Sequence, residues 1–195
     1  MRWIFCLVSL VFFPAQFQAF AGQPLPVGRN IGAPVGFASA CASYRWLCHE
    51  TSAARRARGP AEQAGMPLLR KVTRAVNLRV RSTEDSSISG NGDAWTLPVG
   101  GRGDCEDYAL QKMKDLIDAG FPASRLALSV VIGPHDENHV VLIARLDDGD
   151  YVLDNLNNAV KPWRATPYTF LATQDFRART TWRVTLAGPR AGEFS

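Results

Sequence analysis

The first half of the chain carries apolar side chains at the spacing of helices. Over residues 66–80 they recur every three or four positions and predict a helix whose buried face is Leu68, Leu69, Val72, Val76 and Val80. Residues 105–118 repeat this spacing and predict a second helix, whose buried stripe is Ala109, Met113 and Leu116. Gly120 follows at the place where a glycine often ends a helix. The Gly-, Pro- and Ala-rich residues 22–40 show no period and predict an extended lead-in.

Beyond residue 120 the apolar period changes to two, the period of β-strands. The segments that predict strands are 125–133, 139–146, 151–156 and 181–187. Asp148 and Gly149 lie between the second and the third of them and predict a two-residue hairpin turn. Helices followed by an antiparallel sheet indicate an α+β fold.

Residues 82–103 separate the two predicted helices and are rich in Ser, Gly, Asn and Asp. This composition predicts a long loop, and loops of this length in compact domains are often functional. Trp95, in the middle of the loop, is expected either to line a cleft or to pack in the core.

The first 21 residues have the organisation of a secretory signal. Arg2 supplies the charged start, residues 3–13 supply the apolar core, and AFA at 19–21 is a small-residue cleavage site. The apolar run is shorter than the roughly 20 residues that a membrane span needs, and no later stretch approaches that length. Cleavage after Ala21 predicts an exported, periplasmic protein with a single domain over residues 22–195.

The net charge of +4 at pH 7 does not indicate a nucleic-acid partner. The basic residues are spread among acidic ones, apart from the run ARRARG at 54–59. No surface of interleaved basic and aromatic residues emerges, and the run is expected to be a solvated loop.

Cysteine usage points to a reactive thiol. Export implies an oxidising compartment, and signal cleavage removes Cys6. Cys41 and Cys48, in CASYRWLC, are close enough for a local disulfide. Cys105 is then the odd cysteine, and its polar, glycine-flanked setting favours reactivity over an inert place in the core.

The surroundings of Cys105 in GRGDCEDYAL contain an electrostatic conflict. A helix N-terminus stabilises a thiolate, whereas nearby carboxylates raise a thiol pKa above its reference of about 8.5. The carboxylates here belong to Asp104, Glu106 and Asp107. Helix capping accounts for Asp104 and Asp107, but it does not account for Glu106.

A cysteine nucleophile needs a base, and three histidines remain after signal cleavage. His49 neighbours the expected disulfide, and His135 lies in the polar turn GPHDEN. His139 opens a predicted strand, where a sheet holds its ring rigidly, so His139 is the candidate base.

Two residues compete as the acceptor that orients this base. With Asp148 and Gly149 as the turn, His139 faces Asn158 across the hairpin. Asp154 shares the same face of the sheet but would lie roughly 13 Å along the strand. It could serve only if a bulge, a wider turn or strong coiling shifted the pairing, so both residues stay open.

The motifs GDCEDYAL, HVVL and GDYVLDNL together resemble the bacterial transglutaminase-like cysteine proteinase family. This family includes the periplasmic LapG-type proteases that release adhesins. The resemblance implies a papain- or transglutaminase-like fold, in which a helix with the nucleophilic cysteine packs against an antiparallel sheet. It implies Cys105 as nucleophile, His139 as general base and acid, and Asp154 as the orienting residue, with Asn158 as the alternative.

The resemblance also implies calcium, because the best-understood relatives depend on it through acidic residues that flank the cysteine. Asp104 and Glu106 occupy those positions here. A hard divalent cation bound by them would remove their repulsion of a thiolate. Calcium takes about 6–8 oxygens, so the loop 82–103 or Asp107 would have to supply further ligands.

The sequence therefore predicts an exported cysteine endopeptidase that cleaves a periplasmic or surface protein through a thioester intermediate. The resemblance extends this to a surface adhesin as substrate and to an inner-membrane regulatory partner. A protein-glutamine transamidase or deamidase with the same triad is one alternative. A non-catalytic, calcium-responsive binding protein of the same fold is the other.

Overall fold

Helices cover one face of a single large sheet in the computed structural model, which describes residues 23–49, 65–83 and 94–194. The helices of these residues are α1 (Val35–Ser43), α2 (Arg45–Cys48), α3 (Gly65–Arg79) and α4 (Cys105–Asp118). The expected signal at 1–21, the Arg run at 54–59 and the middle of the loop 82–103 lie outside the described residues.

The two predicted helices, α3 and α4, are confirmed, and α4 has the expected buried stripe. The end of α4 follows from Gly120, whose φ of 87° places it in the left-handed region. The backbone N–H of Gly120 donates to Ile117 (2.9 Å), and the N–H of Phe121 donates to Leu116 (2.8 Å). These bonds satisfy carbonyl groups that the helix itself leaves unpaired.

Helix α1 contradicts the extended lead-in predicted for residues 22–40. Its sequence, VGFASACAS, consists mostly of small residues and shows no apolar period. Phe37 and Ala40 lie one turn apart and are both buried, so tertiary packing decides the conformation.

The seven strands of the main sheet are β1 (Asn30–Ile31), β4 (Leu126–Ile132), β5 (Asn138–Leu146), β6 (Gly149–Leu153), β7 (Lys161–Pro162), β8 (Thr169–Gln174) and β9 (Trp182–Ala187). Their order in the sheet is β1-β9-β8-β4-β5-β6-β7, and every neighbouring pair is antiparallel. A separate parallel pair joins β2 (Arg81–Ser82) to β3 (Arg102–Gly103). Helices packed on one side of an antiparallel sheet confirm the α+β class.

The hairpin between β5 and β6 turns one residue earlier than predicted. Leu146 pairs with Gly149, so the turn is Asp147-Asp148, and Gly149 (φ 142°) opens the next strand. The predicted pairing that set Asn158 opposite His139 is therefore wrong. Leu153 pairs with Leu142, and Asp154 is the residue that follows Leu153. Continuing this register sets Asp154 two residues closer to His139 than the predicted turn did.

The two faces of the sheet bury different side chains. The face under the helices is the larger core, and it includes Trp95, Phe37 and Trp182 with ring centroids 5.2–6.0 Å apart. Trp95 is 3% exposed and therefore a core residue. The other face buries a second cluster that includes Leu25 and Tyr168.

Two further links fix the N-terminal part of the described chain. Cys41 and Cys48 form a disulfide that joins α1 to α2, as predicted, and Cys105 lies outside any disulfide. The backbone N–H of Leu25 donates to the buried carboxylate of Asp150 (2.7 Å). Within the described ranges, none of the helices combines the length and the apolar character that a membrane crossing requires.

Candidate active site

Cys105 is the first residue of α4 and lies half-buried beside the start of β5. Helix α4 packs on β5 through its apolar stripe, which fixes the helix start against the sheet. The backbone N–H of Val140, the residue after His139, hydrogen-bonds to the Cys105 side chain. The fold thus brings the cysteine next to the strand position of the candidate base.

The Cys105 thiol lies in surroundings that oppose its ionisation. Burial raises the pKa of the thiol most, and the charge of Glu106 raises it further. The thiol also donates to the Glu106 carboxylate (Sγ–Oε2 3.1 Å), which favours the protonated form. The N–H of Val140 lowers the pKa, Asp104 raises it, and the net shift is strongly upward. The electrostatic conflict expected from the sequence is present in the structure.

His139 and Asp154 form a buried hydrogen-bonded pair, with 2.9 Å between His139 Nε2 and Asp154 Oδ1. Each is 6% exposed. Oδ1 also accepts the N–H of Leu156 (3.1 Å), and Oδ2 accepts the hydroxyl of Tyr168 (2.6 Å). Burial raises the pKa of Asp154, but these three hydrogen bonds outweigh it and hold the pKa below its ordinary value. A carboxylate only accepts, so Nε2 carries the proton and Nδ1 is left for exchange with a substrate or a thiol.

Asn158 does not contact His139 in this arrangement. It is exposed, and its side-chain oxygen accepts a hydrogen bond from Nδ2 of Asn77 (2.9 Å). Asn77 also donates to the backbone carbonyl of Asp154 (3.0 Å). Asn158 therefore belongs to the loop that follows β6, and Asn77 ties this loop to α3.

The other histidines lie away from this pair. His135 is exposed in the turn before β5, where its backbone N–H donates to the Glu137 carboxylate (2.8 Å). His49 is exposed directly after the disulfide. Neither has the buried acceptor that His139 has.

Simple helix capping does not explain the acidic residues around Cys105. Asp104 occupies the N-cap position of α4, yet its side chain makes no capping hydrogen bond. Asp107 is 1% exposed and accepts both the backbone N–H (2.8 Å) and the hydroxyl (3.3 Å) of Thr96. Gly103 makes room for it, since a Cβ there would lie 2.6 Å from Asp107 Oδ2. The predicted capping role of Asp107 is replaced by a link to the preceding loop.

The donor chemistry of this cluster fits calcium, which prefers carboxylate and carbonyl oxygens. Glu106 is 4% exposed, so its carboxylate is held within the protein beside Asp104. Residues 23–49, 65–83 and 94–194 contain no complete group of three or more metal-ligating side chains. Asp104 and Glu106 would therefore be part of a site that needs further oxygens.

Two residues near the pair were not found from the sequence. Tyr168 directly precedes β8, and its sequence gives no signal of a role in the site. A single tyrosine next to a strand is common, so it does not stand out. Lys112 lies in α4 with 0% exposure, and its ammonium is 5.2 Å from the centre of the Tyr108 ring. The sequence did hold a signal for Lys112. It lies three residues after Ala109 and four before Leu116, a spacing that puts a charged residue on the buried face of the helix.

Comparisons with known proteins give one family match and several structural matches. A family model described as bacterial transglutaminase-like cysteine proteinase (BTLCP) matches residues 27–190. The structure of EGTA-treated LapG from Legionella pneumophila is 23% identical, with a TM-score of 0.52 over 78% of this chain and 84% of that one. Calcium-bound LapG from the same organism is also 23% identical, with a TM-score of 0.49 over 70% of this chain and 80% of that one.

No curated protein matches the chain. The solved structures bear on the fold alone, whereas the family model spans most of the sequence, including the helix with Cys105 and the hairpin with His139 and Asp154. The chain therefore belongs to the bacterial transglutaminase-like cysteine proteinases, a family of cysteine peptidases.

Proposed function

We propose that the protein is an exported endopeptidase that cleaves a periplasmic or surface protein with Cys105, His139 and Asp154 as its catalytic triad. The buried hydrogen bond between His139 and Asp154, next to the start of α4, carries this proposal. The signal-like residues 1–21 support export, and membership of a proteinase family supports a protein substrate. The motifs shared with LapG-type proteases favour a surface adhesin as substrate and an inner-membrane protein as regulator.

The proposed chemistry gives each of the three side chains one role. The Cys105 sulfur attacks the substrate carbonyl while its proton passes to Nδ1 of His139. Asp154 holds the ring through Nε2 and stabilises the imidazolium that forms. The backbone N–H of Cys105, at the start of α4, would donate to the developing oxyanion.

Collapse of this intermediate breaks the C–N bond, and His139 returns the proton to the leaving amine. The products of this step are a thioester on Cys105 and a new N-terminus. Water then attacks the thioester, with His139 as the base, and releases the carboxylate product and the thiol.

We also propose that Asp104 and Glu106 hold calcium. Their oxygen donors support this, and the remaining ligands would come from backbone carbonyls, water or Asp107. When bound, the ion would supply positive charge that offsets the carboxylates next to the thiol.

The test is a comparison of new N-termini on periplasmic and surface proteins between cells with the wild-type enzyme and with Cys105→Ala. We expect a set of cleavage sites that disappears in Cys105→Ala and in His139→Ala. Asp154→Ala should lower the rate by about 10²–10⁴, by analogy with the orienting aspartate of serine proteases. His135→Ala and Asn158→Ala are the matched controls, because both residues are exposed, and their rates should stay within about threefold of wild type.

Cleavage sites that persist in Cys105→Ala would overturn the proposal. So would a larger loss in Asn158→Ala than in Asp154→Ala, because Asn158 would then be the orienting residue. A labelled primary amine that enters proteins only when Cys105 is present would indicate transamidation in place of hydrolysis.

A further inference from the structure

Tyr168 contacts both members of the buried pair. Its hydroxyl donates to Asp154 Oδ2 at 2.6 Å. Its ring lies against the ring of His139, with centroids 5.5 Å apart and an angle of 40° between the planes. Tyr168 itself is 5% exposed, so these contacts are made inside the protein.

The hydroxyl of Tyr168 restricts rotation of the Asp154 carboxylate about the Cβ–Cγ bond. The Cβ–Cγ torsion of an aspartate has a broad, roughly two-fold profile, so the carboxylate can rotate at low cost. Oδ1 is held by His139 and by the N–H of Leu156, whereas Tyr168 holds Oδ2. With both oxygens bound, the carboxylate keeps one oxygen directed at His139.

The backbone keeps Tyr168 in place. Tyr168 directly precedes β8, and its ring packs in the cluster on the face of the sheet away from the helices. Gly188 approaches it so closely that a Cβ there would lie 2.3 Å from the Tyr168 carbonyl oxygen. A cavity of about 190 Å³ lies beside Asp154 and Tyr168, so water could enter beside the carboxylate if the hydroxyl were removed.

Tyr168 remains a neutral donor in this position. Burial raises its pKa most, the hydrogen bond to Asp154 raises it next, and the charges of Asp154 and Glu137 raise it further. The Lys112 side chain of α4 also interacts electrostatically with the Asp154 carboxylate, so it contributes to the electrostatic field around His139 and Asp154. A neutral hydroxyl holds the carboxylate by a hydrogen bond and adds no charge of its own.

We propose that Tyr168 is a positioning residue of the peptidase, which fixes the Asp154 carboxylate and the His139 ring in the orientation that catalysis needs. This inference rests on the proposed function, because it assigns the orienting role to Asp154.

The test compares Tyr168→Phe with Tyr151→Phe. The control is closely matched, since the Tyr151 hydroxyl also donates to an aspartate, Asp148 Oδ2, at 2.6 Å, but at the hairpin turn. We expect Tyr168→Phe to lower kcat about tenfold with KM within about twofold, because supporting contacts of this kind are worth 10- to 100-fold. Tyr151→Phe should leave both constants within about twofold.

A second readout needs no substrate. With ¹⁵N-labelled histidine, the Nε2–H resonance of His139 should move in Tyr168→Phe and stay in place in Tyr151→Phe. In the wild type, the Tyr168 hydroxyl proton should exchange slowly with water and show a cross-peak to the His139 ring. The wild-type measurement also keeps the inference testable if Tyr168→Phe fails to fold.

Unchanged kcat and an unchanged Nε2–H resonance in Tyr168→Phe would overturn the inference, as would equal losses in Tyr151→Phe. Failure of the proposed function has a different signature. Proteolysis would then persist in Cys105→Ala, while the His139 resonance would still report whether Tyr168 orients the pair.

Discussion

The thiol of Cys105 is opposed by its immediate neighbour in the chain. Glu106 accepts the S–H hydrogen bond and adds negative charge, so the protonated thiol is favoured. Productive chemistry requires this preference to be reversed. In the proposed mechanism, His139 would accept the proton, and a cation on the carboxylates would weaken their effect on the sulfur.

The first prediction at this scale concerns Glu106→Gln, which removes one charge and keeps the size of the side chain. Calcium that binds only the folded wild type should raise its stability by about 2.7 kcal/mol at a hundred times Kd. Calcium should also speed alkylation of Cys105 near neutral pH, and magnesium should substitute poorly. Glu106→Gln should lose both responses, as thermal unfolding and alkylation rates would show.

Glu137→Gln is the matched control for this experiment, because Glu137 lies in the turn before β5 and contacts the backbone of His135. It should respond to calcium like the wild type. A wild-type protein whose melting temperature and alkylation rate ignore both calcium and a chelator would contradict the proposed ion site.

At the scale of elements, α4 combines the proposed nucleophile, Cys105, with a buried lysine. Lys112 lies two turns after Cys105 on the same helix and is fully buried. Burial lowers its pKa from 10.5 to about 7, and the charge of Asp154 partly opposes this shift. The unfolded chain therefore binds more protons than the folded protein between these two values.

Lys112→Met should stabilise the protein at neutral pH and flatten its pH dependence. Wild-type stability should rise with pH between about 7 and 10.5, because the unfolded state binds the extra proton there. The gain from the substitution at pH 7 has an upper bound of about 5 kcal/mol, at 1.36 kcal/mol for each pKa unit. Urea unfolding across this pH range is the measurement.

Lys114→Met provides the control for Lys112→Met, since Lys114 is partly exposed and pairs with Asp118 on the outer side of α4. It should leave the pH dependence as it is in the wild type. A Lys112→Met protein whose stability still rises between pH 7 and 10.5 as the wild type does would show that Lys112 is not the titrating group.

The elements that the sequence predicts best are those with a clear apolar period. Helices α3 and α4 and strands β4, β5 and β9 have it, and they lie where the spacing places them. Strand β8 was not predicted, because its pairing shifts between Phe170 and Ala172 and this irregularity breaks the alternation. Such shifts depend on neighbouring strands, which local patterns do not describe.

In the candidate site, local sequence patterns mark some residues, whereas the contacts of others depend on strand pairing and the tertiary fold. Cys105 was marked by its helix start and His139 by its strand. The choice between Asp154 and Asn158 depended on the register of one hairpin, and the predicted turn was one residue off. Tyr168 comes from a separate segment, so its contact with Asp154 is a product of the tertiary fold.

At the scale of the whole molecule, a disulfide braces the two N-terminal helices, and a hydrogen bond fastens the segment before them to the sheet. The Cys41–Cys48 disulfide stabilises the α1–α2 pair, which packs on the helical side of the core. On the opposite side of the sheet, the Asp150 carboxylate accepts hydrogen bonds from the backbone N–H of Leu25 and from Nε and Nη2 of Arg145. The same segments also bury apolar side chains, Phe37 and Leu47 on the helical side and Leu25 on the other.

Replacing both Cys41 and Cys48 with serine should lower the free energy of unfolding by about 2 kcal/mol, the value expected for a short disulfide loop. The site should survive, because the disulfide lies outside it, so peptidase activity at low temperature should be unchanged. Urea unfolding measures the first effect. Peptide mapping without reductant should show Cys41 linked to Cys48 and Cys105 alkylated, and a linkage to Cys105 would contradict the arrangement.

The division of the site between α4 and β5 has a consequence for the stage at which the enzyme can cleave other proteins. Cys105 begins α4 in the helical layer, His139 lies in β5, and Asp154 directly follows β6, so the proposed site forms only after the layers have docked. During the proposed export, we expect the unfolded chain to lack cutting activity towards the machinery that carries it. Folding would then be the activation step, and the enzyme would gain activity as its own backbone becomes resistant to cleavage.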